Sequence, residues 1–130
     1  MSENLVFGCQ LKNLTGGLLK LKYEHLDWGK WTDLGNHAPV DLEKKFDGEA
    51  FRSSGRQSTA TGTTGTVIYQ LGDNPDQWVK IYWSIPWVTG STNTLELSTY
   101  DHDRLVVQHN GFAGQGSVEI PRLVVARVAE

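Results

Sequence analysis

With 130 residues, 38% hydrophobic and 21% charged, the chain has the size and balance of one domain, 1–130, able to bury its own core. Its 12 Lys and Arg stand against 15 Asp and Glu, a net charge of -3, which excludes the clustered basic face that nucleic acid requires. The same balance excludes adhesion driven chiefly by anionic lipid. The start, MSENLVFGCQ, lacks the basic region and apolar stretch of a secretory signal, and no run of about 18 apolar residues offers a membrane span. The expectation is a soluble protein without a signal peptide of the usual secretory kind. Cys9 is the single cysteine, so no internal disulfide forms; among Val6, Phe7 and Leu11 it reads as a buried structural thiol.

Period-two alternation, the mark of a strand with one buried face, then recurs along the chain. In Leu18 to Glu24, Leu19, Leu21 and Tyr23 alternate with Lys20, Lys22 and Glu24. Val40 to Ala50 is the one stretch with a helical pattern, and Gly48 weakens it. Ser53 to Thr66 is rich in Ser, Thr and Gly and reads as a long ordered loop entering a strand, a type of segment that is commonly functional. Val67, Tyr69 and Leu71 share the next face; Val79, Ile81 and Trp83 then oppose Trp78, Lys80 and Tyr82. Leu95 and Leu97 repeat the pattern, Leu105 to His109 follows, and Ser117 to Ala129 is rich in β-branched residues with Pro121 marking an edge, a bulge or a break between two strands. Turn signals at Thr15-Gly16-Gly17, Asp73-Asn74-Pro75-Asp76, Thr89-Gly90-Ser91 and Asn110-Gly111 separate the runs. The architecture that fits is all-β, an antiparallel β-sandwich or partly closed barrel.

One ordered set of short motifs is specific: Asp27-Trp28-Gly29-Lys30, Ser54-Gly55-Arg56, Gly62-Thr63-Thr64-Gly65-Thr66, Tyr82-Trp83-x-x-Pro86-Trp87 and Thr92-Asn93-Thr94. In this order and spacing the chain resembles the aegerolysins, small β-proteins of fungi, bacteria and a few other lineages. The resemblance implies an actinoporin-like β-sandwich and recognition of membranes rich in particular sphingolipids. It also implies a larger perforin-like (MACPF) partner that makes the pore while the small protein finds the membrane, as in cytolytic and insecticidal pairs. A protein of this kind is released and acts at target-cell membranes. The chain departs from better-known lipid-binding members at two positions: Thr61 stands where they carry a Glu before GTTGT, and Ser91 where they carry a Lys before Thr-Asn. Val88-Thr89-Gly90 is longer than the matching family loop, and Asn36 to Arg52 is shorter.

Five Trp residues supply the chemistry such a role needs, because indole joins a large apolar area to one N–H donor and suits the bilayer interface. Trp28 and Trp31 lie outside any core-facing run, and Trp87 follows Pro86 into a Gly-containing loop; these three are assigned to lipid contact. Trp83 shares the face of Val79 and Ile81 and reads as core. Tyr82 lies on the opposite face beside the motif and joins the lipid-binding set, while Trp78 is undecided. Thr61, Ser91 and Asn93 are the polar members, with Thr92, Thr63 and Thr64 nearby; the alternative for such groups is to satisfy their own backbone in turns. Arg56 pairs with a phosphate or braces neighbouring carbonyls. Lys30 sits at head-group level or solubilises its loop.

No GxSxG elbow, phosphate loop, HExxH helix or paired CxxC is present. The four His, at positions 25, 37, 102 and 109, are scattered, and Asp101-His102-Asp103 reads as a solvated turn rather than a metal site. The chain is expected to be neither an enzyme nor a cofactor or metal carrier. Three rivals remain: a carbohydrate-binding sandwich using Trp28, Trp31 and Trp87 with Asn93 and Asp27; a hydrolase built on His102 or His109; and a protein-interaction module in which the aromatic patch is an interface.

Overall fold

Alternating side chains become two stacked sheets in a computed structural model, which describes residues 5–55, 62–86, 92–101 and 104–128. Its strands are β1 (Val6–Leu14), β2 (Leu19–Trp28), β3 (Lys30–Trp31), β4 (Asp47–Ser54), β5 (Thr63–Leu71), β6 (Trp78–Ile85), β7 (Thr94–Thr99), β8 (Leu105–Asn110), β9 (Val118–Glu119) and β10 (Arg122–Arg127). One sheet runs β3-β4-β1-β10-β8, with β9 also pairing β1; the other runs β2-β5-β6-β7. The alternation of the second sheet is nearly ideal: β5 buries every second residue, Thr63, Gly65, Val67, Tyr69 and Leu71, and β6 buries Val79, Ile81, Trp83 and Ile85. The all-β sandwich expected from the sequence is therefore the fold. Its pairings are antiparallel except that β1 runs parallel to both β9 and β10. Parallel neighbours need a long crossover, and here the whole second sheet lies between β1 and its C-terminal partners.

Two local expectations change. Val40 to Ala50 contains no helix, because Leu42 is fully buried and exchanges two backbone hydrogen bonds of 2.8 Å with Leu19, after which β4 begins at Asp47. The loop foreseen from Ser53 to Thr66 is shorter, since Ser53 and Ser54 complete β4 and Thr63 already starts β5. Pro121 does separate two strands, β9 and β10, as a residue without an N–H should.

Between the sheets the core is aromatic toward one end. Phe7 stacks on Trp83 at 4.7 Å with planes 6° apart, Phe51 lies 5.3 Å from Trp83, and Trp31 meets Phe51 edge-on at 5.8 Å. The indole N–H of Trp83 donates to Thr63 Oγ1 at 3.1 Å, and that hydroxyl is joined to Ser53 Oγ at 2.7 Å, so the polar tip of the largest core side chain is satisfied. Cys9 is completely buried beside these rings. Burial, and secondarily the charge of Glu49, pushes its thiol far above the usual range, which removes the thiolate that oxidants and electrophiles attack. A thiol reagent such as dithionitrobenzoate should therefore leave the native protein unmodified and label Cys9 only at the rate of unfolding; fast labelling under native conditions would contradict the packing.

Candidate functional site

The motif segments converge on one end of the sandwich, and glycines put them there. β2 belongs to one sheet and β3 to the other, so the chain must turn between them at Gly29. Its φ of 99° is a left-handed conformation that favours glycine, and a Cβ there would lie 2.5 Å from the carbonyl oxygen of Ser54. This corner parts the two neighbouring indoles. Trp28 closes β2 opposite Thr64 and stands 59% exposed; Trp31 pairs with Ser53 and folds half-buried against Phe51 and Trp83. Gly62 brings the start of β5 onto the end of β6, where a Cβ would sit 1.9 Å from Ile85 O. At Gly65 it would meet Trp83 Cζ2 at 2.7 Å and His25 O at 2.8 Å. The Gly-Thr-Thr-Gly-Thr run is thus a packing motif: both glycines admit backbone or indole, and Thr63 satisfies Trp83.

On the outer face of the second sheet these strands lay side chains out in rows. The outermost row is Trp28, Thr64, Ser84 and Thr94; the next is His25, Thr66, Tyr82 and Glu96. Thr64 Oγ1 and Ser84 Oγ hydrogen-bond at 3.0 Å, and His25 Nε2 lies 3.1 Å from Asp27 Oδ1. Tyr82 is half-buried one row in from Trp28. Trp78 lies at the far end of the same face, stacked on Tyr100 at 5.8 Å with planes 10° apart.

Beside this face the segment 92–94 is clamped by a buried carboxylate. Glu119, 1% exposed, accepts from Ala113 N at 2.9 Å through Oε1, and through Oε2 from Gly114 N at 2.9 Å and Asn93 Nδ2 at 2.7 Å. Asn93 also donates its amide to Gly116 O at 2.9 Å and its backbone N–H to Gly114 O at 2.8 Å. A carboxylate accepting three N–H groups is well solvated by protein and fixes the donors in place.

This geometry can be set against known proteins. The family model described as Aegerolysin matches residues 10–120. The chain is an aegerolysin. That family comprises non-enzymatic lipid-binding proteins. Among solved structures it is similar to the RahU protein, crystallised with a TRIS molecule, at a TM-score of 0.85 and 18% identity over 99% of both chains. It is similar to IP-1A from Alcaligenes faecalis at a TM-score of 0.77 and 19% identity, over 98% of this chain and 94% of that one. The lipid binding protein Nakanori follows with a TM-score of 0.73 and 16% identity, over 95% of this chain and 71% of that one. At these identities the likeness establishes the shared fold. No curated protein matches the sequence.

In this aegerolysin the expected site residues fall into three groups. Trp28 and Tyr82 share the outer face of the second sheet; Trp31 is a half-buried support beneath the corner. Asn93, expected at the lipid surface, lies 5% exposed with its amide engaged inward, because Glu119 and Gly116 hold it. Thr61, Trp87 and Ser91 lie outside the described residues, as does Arg56; the described residues that border them, Gly55, Gly62, Pro86 and Thr92, all belong to the Trp28 end. His102 and Asp103 also lie outside, while Asp101 takes a positive φ and accepts the N–H groups of Arg104 and Leu105 at 2.9 Å, a turn. Among the described residues no three His, Cys, Asp or Glu side chains are grouped to hold a metal ion. Sequence reasoning missed Glu119. The signal for Glu119 was present: an acid between Val118 and Ile120, in a stretch rich in β-branched residues, must either face water or find donors.

Proposed function

We propose that this aegerolysin docks on sphingolipid-bearing membranes through the end of the sandwich that carries Trp28, and that it serves as the targeting component for a larger perforin-like (MACPF) partner. The observation that supports this reading is a large indole held out from a rigid glycine corner, at the end where every family motif meets. Trp87, Thr61 and Ser91 complete the contact surface in this proposal, with Tyr82 at its margin, while Asn93 and Trp31 act by holding their neighbours in position. Released protein would act at the target-cell surface.

Burying about 100 Å² of Trp28 at about 25 cal/mol/Å² contributes about 2.5 kcal/mol, against the roughly 8 kcal/mol of micromolar binding. A single indole is therefore insufficient, and a second one with head-group hydrogen bonds must supply the remainder. Trp28→Ala should weaken binding by roughly 60-fold on that figure with an unchanged melting temperature. Sedimentation with liposomes of sphingomyelin and cholesterol, or of ceramide phosphoethanolamine, reads this directly. Full binding by a folded Trp28→Ala variant would remove the site, and retention by glycans instead of liposomes would favour the carbohydrate reading. The same vesicles loaded with dye should stay intact without a partner. A transmembrane strand needs about 9–11 residues with an apolar outward face, whereas β2, ten residues long, carries Lys20, Lys22, Glu24 and Asp27.

A further inference from the structure

Around the Gly29 corner from Trp28, on the outer side of the first sheet, lies an open cleft of about 430 Å³, lined by Thr32, Asp33, His37, Glu49, Arg52 and Ser54. That volume falls within the range of about 300–1,000 Å³ found for small-molecule sites, and the membrane reading does not use it. The segment 32–37 forms one wall and is stitched to β4 by its backbone. Thr32 N donates to Arg52 O at 3.1 Å, and Arg52 N donates to His37 O at 3.0 Å. The facing side chains rest on a glycine: Gly8 is matched with Arg52 across the sheet, and a Cβ there would lie 3.4 Å from both Arg52 Nε and Glu49 Oε2.

Two features of this lining ask for hydroxyl groups. Ser54 is fully buried, and its Oγ has no hydrogen-bond partner. A buried hydroxyl left in that state costs free energy unless something outside the chain engages it. Farther back along β4, His37 Nε2 and Glu49 Oε1 stand 3.9 Å apart, too far for a hydrogen bond and close enough for one hydroxyl to bridge. His37 Nδ1 lies 2.7 Å from Thr32 Oγ1 and 3.2 Å from Asp33 Oδ2, which fixes the ring. When Thr32 gives its proton to Nδ1, Nε2 bears the N–H, and a bridging alcohol then accepts from His37 while it donates to Glu49. The guanidinium of the lining is already answered within it, since Arg52 Nε and Nη2 donate to Glu49 Oε2 at 3.0 and 2.6 Å. A free anion would meet two carboxylates here, and a free ammonium group would meet Arg52.

We propose that this cleft binds a carbohydrate through its hydroxyl groups, one bridging His37 and Glu49 and another reaching Ser54 Oγ. The site is separate from the Trp28 surface and holds whether or not that surface docks on lipid. With hydrogen bonds and no aromatic ring among the described lining residues, a single sugar should bind in about the millimolar range.

The test is an NMR titration of the whole protein with the methyl glycosides of glucose, galactose and mannose, with ethanolamine and inorganic phosphate as charged comparisons. At least one glycoside should shift the backbone amides of Thr32, His37, Arg52 and Ser54, and neither charged compound should. Ser54→Ala should weaken that binding about fivefold, the worth of one hydrogen bond. Its melting temperature should stay the same or rise, because the hydroxyl it removes has no partner in the free protein. Glu49→Gln should weaken binding independently, and Trp28→Ala should leave it unchanged while liposome sedimentation falls, so the two readings fail separately. Absence of shifts with every glycoside, shifts confined to other surfaces, an equal response to ethanolamine or phosphate, or indifference to both cleft substitutions would overturn the proposal. Phosphatidylcholine vesicles with and without glucosylceramide or galactosylceramide distinguish the source. Sedimentation that depends on the glycolipid and falls with Ser54→Ala assigns a lipid-borne sugar, and glycoside shifts without it assign a soluble or protein-linked one.

Discussion

Gly62→Ala should cost at least about 3 kcal/mol of stability, the top of the range for overpacking, and lower the melting temperature by about 10 °C or more. The added methyl would begin 1.9 Å from the carbonyl oxygen of Ile85, a distance no side-chain rotation can relieve because both sides are backbone. Relief requires the start of β5 to move off the end of β6, which would also part the Thr63 hydroxyl from the indole of Trp83. Gly16→Ala supplies the comparison: its φ is 82° and nothing lies within 4 Å, so only the left-handed backbone is charged against it, about 1–2 kcal/mol. Urea unfolding followed by tryptophan fluorescence measures both. Equal costs for the two substitutions would mean that the close approach at Gly62 does not govern stability.

Glu119→Leu should be about as damaging, near 4 kcal/mol, since removing one partner of a buried charged network strands the others without water. The stranded groups are the N–H of Ala113, the N–H of Gly114 and the amide of Asn93. Asn93→Leu alone should cost about 2 kcal/mol, and the double variant should cost less than the sum of the two, because the second change removes a group the first had already orphaned. Strict additivity would show that the two residues do not act as one clamp. The folded fraction of Glu119→Leu should also release from liposomes faster than the native protein although Trp28 is intact, since the segment leading into β7 loses its anchor.

Where one sheet face meets the core and the other meets water, the primary structure was readable. β5 and β6 announced themselves by alternation, and the phase of Val79, Ile81 and Trp83 correctly sent Trp83 inward; in β2 the expected phase holds for Leu19 and Leu21 and fails at Tyr23, 48% exposed, because the register shifts between Leu21 and Tyr23. β1 gave no such pattern because Phe7, Gly8 and Cys9 are all buried: the core takes Phe7 and Cys9, while Arg52 and Glu49 side chains cover Gly8 from outside. The described parts of the family motifs gather at one end of the molecule, yet the motifs do not tell how each residue is placed there. Trp28 and Trp31 look alike in the chain, three positions apart, and only the sheet-to-sheet corner at Gly29 sends one outward and the other onto Phe51. Asn93 resembled a surface polar group because the carboxylate that draws it inward lies 26 positions later. Local spacing carries strand phase well; it carries long-range hydrogen bonding hardly at all.

The parallel pairing of β1 with β10 bears on how the molecule is made. Gln10 to Leu14 are matched with Arg122 to Ala126, so a central strand of one sheet has no β10 neighbour until β2 to β9 have been made. Closure across such a separation is entropically costly and slow. A ribosome-bound nascent chain should therefore hold the four-stranded sheet before its companion, and completion of the sandwich should await the emergence of β10.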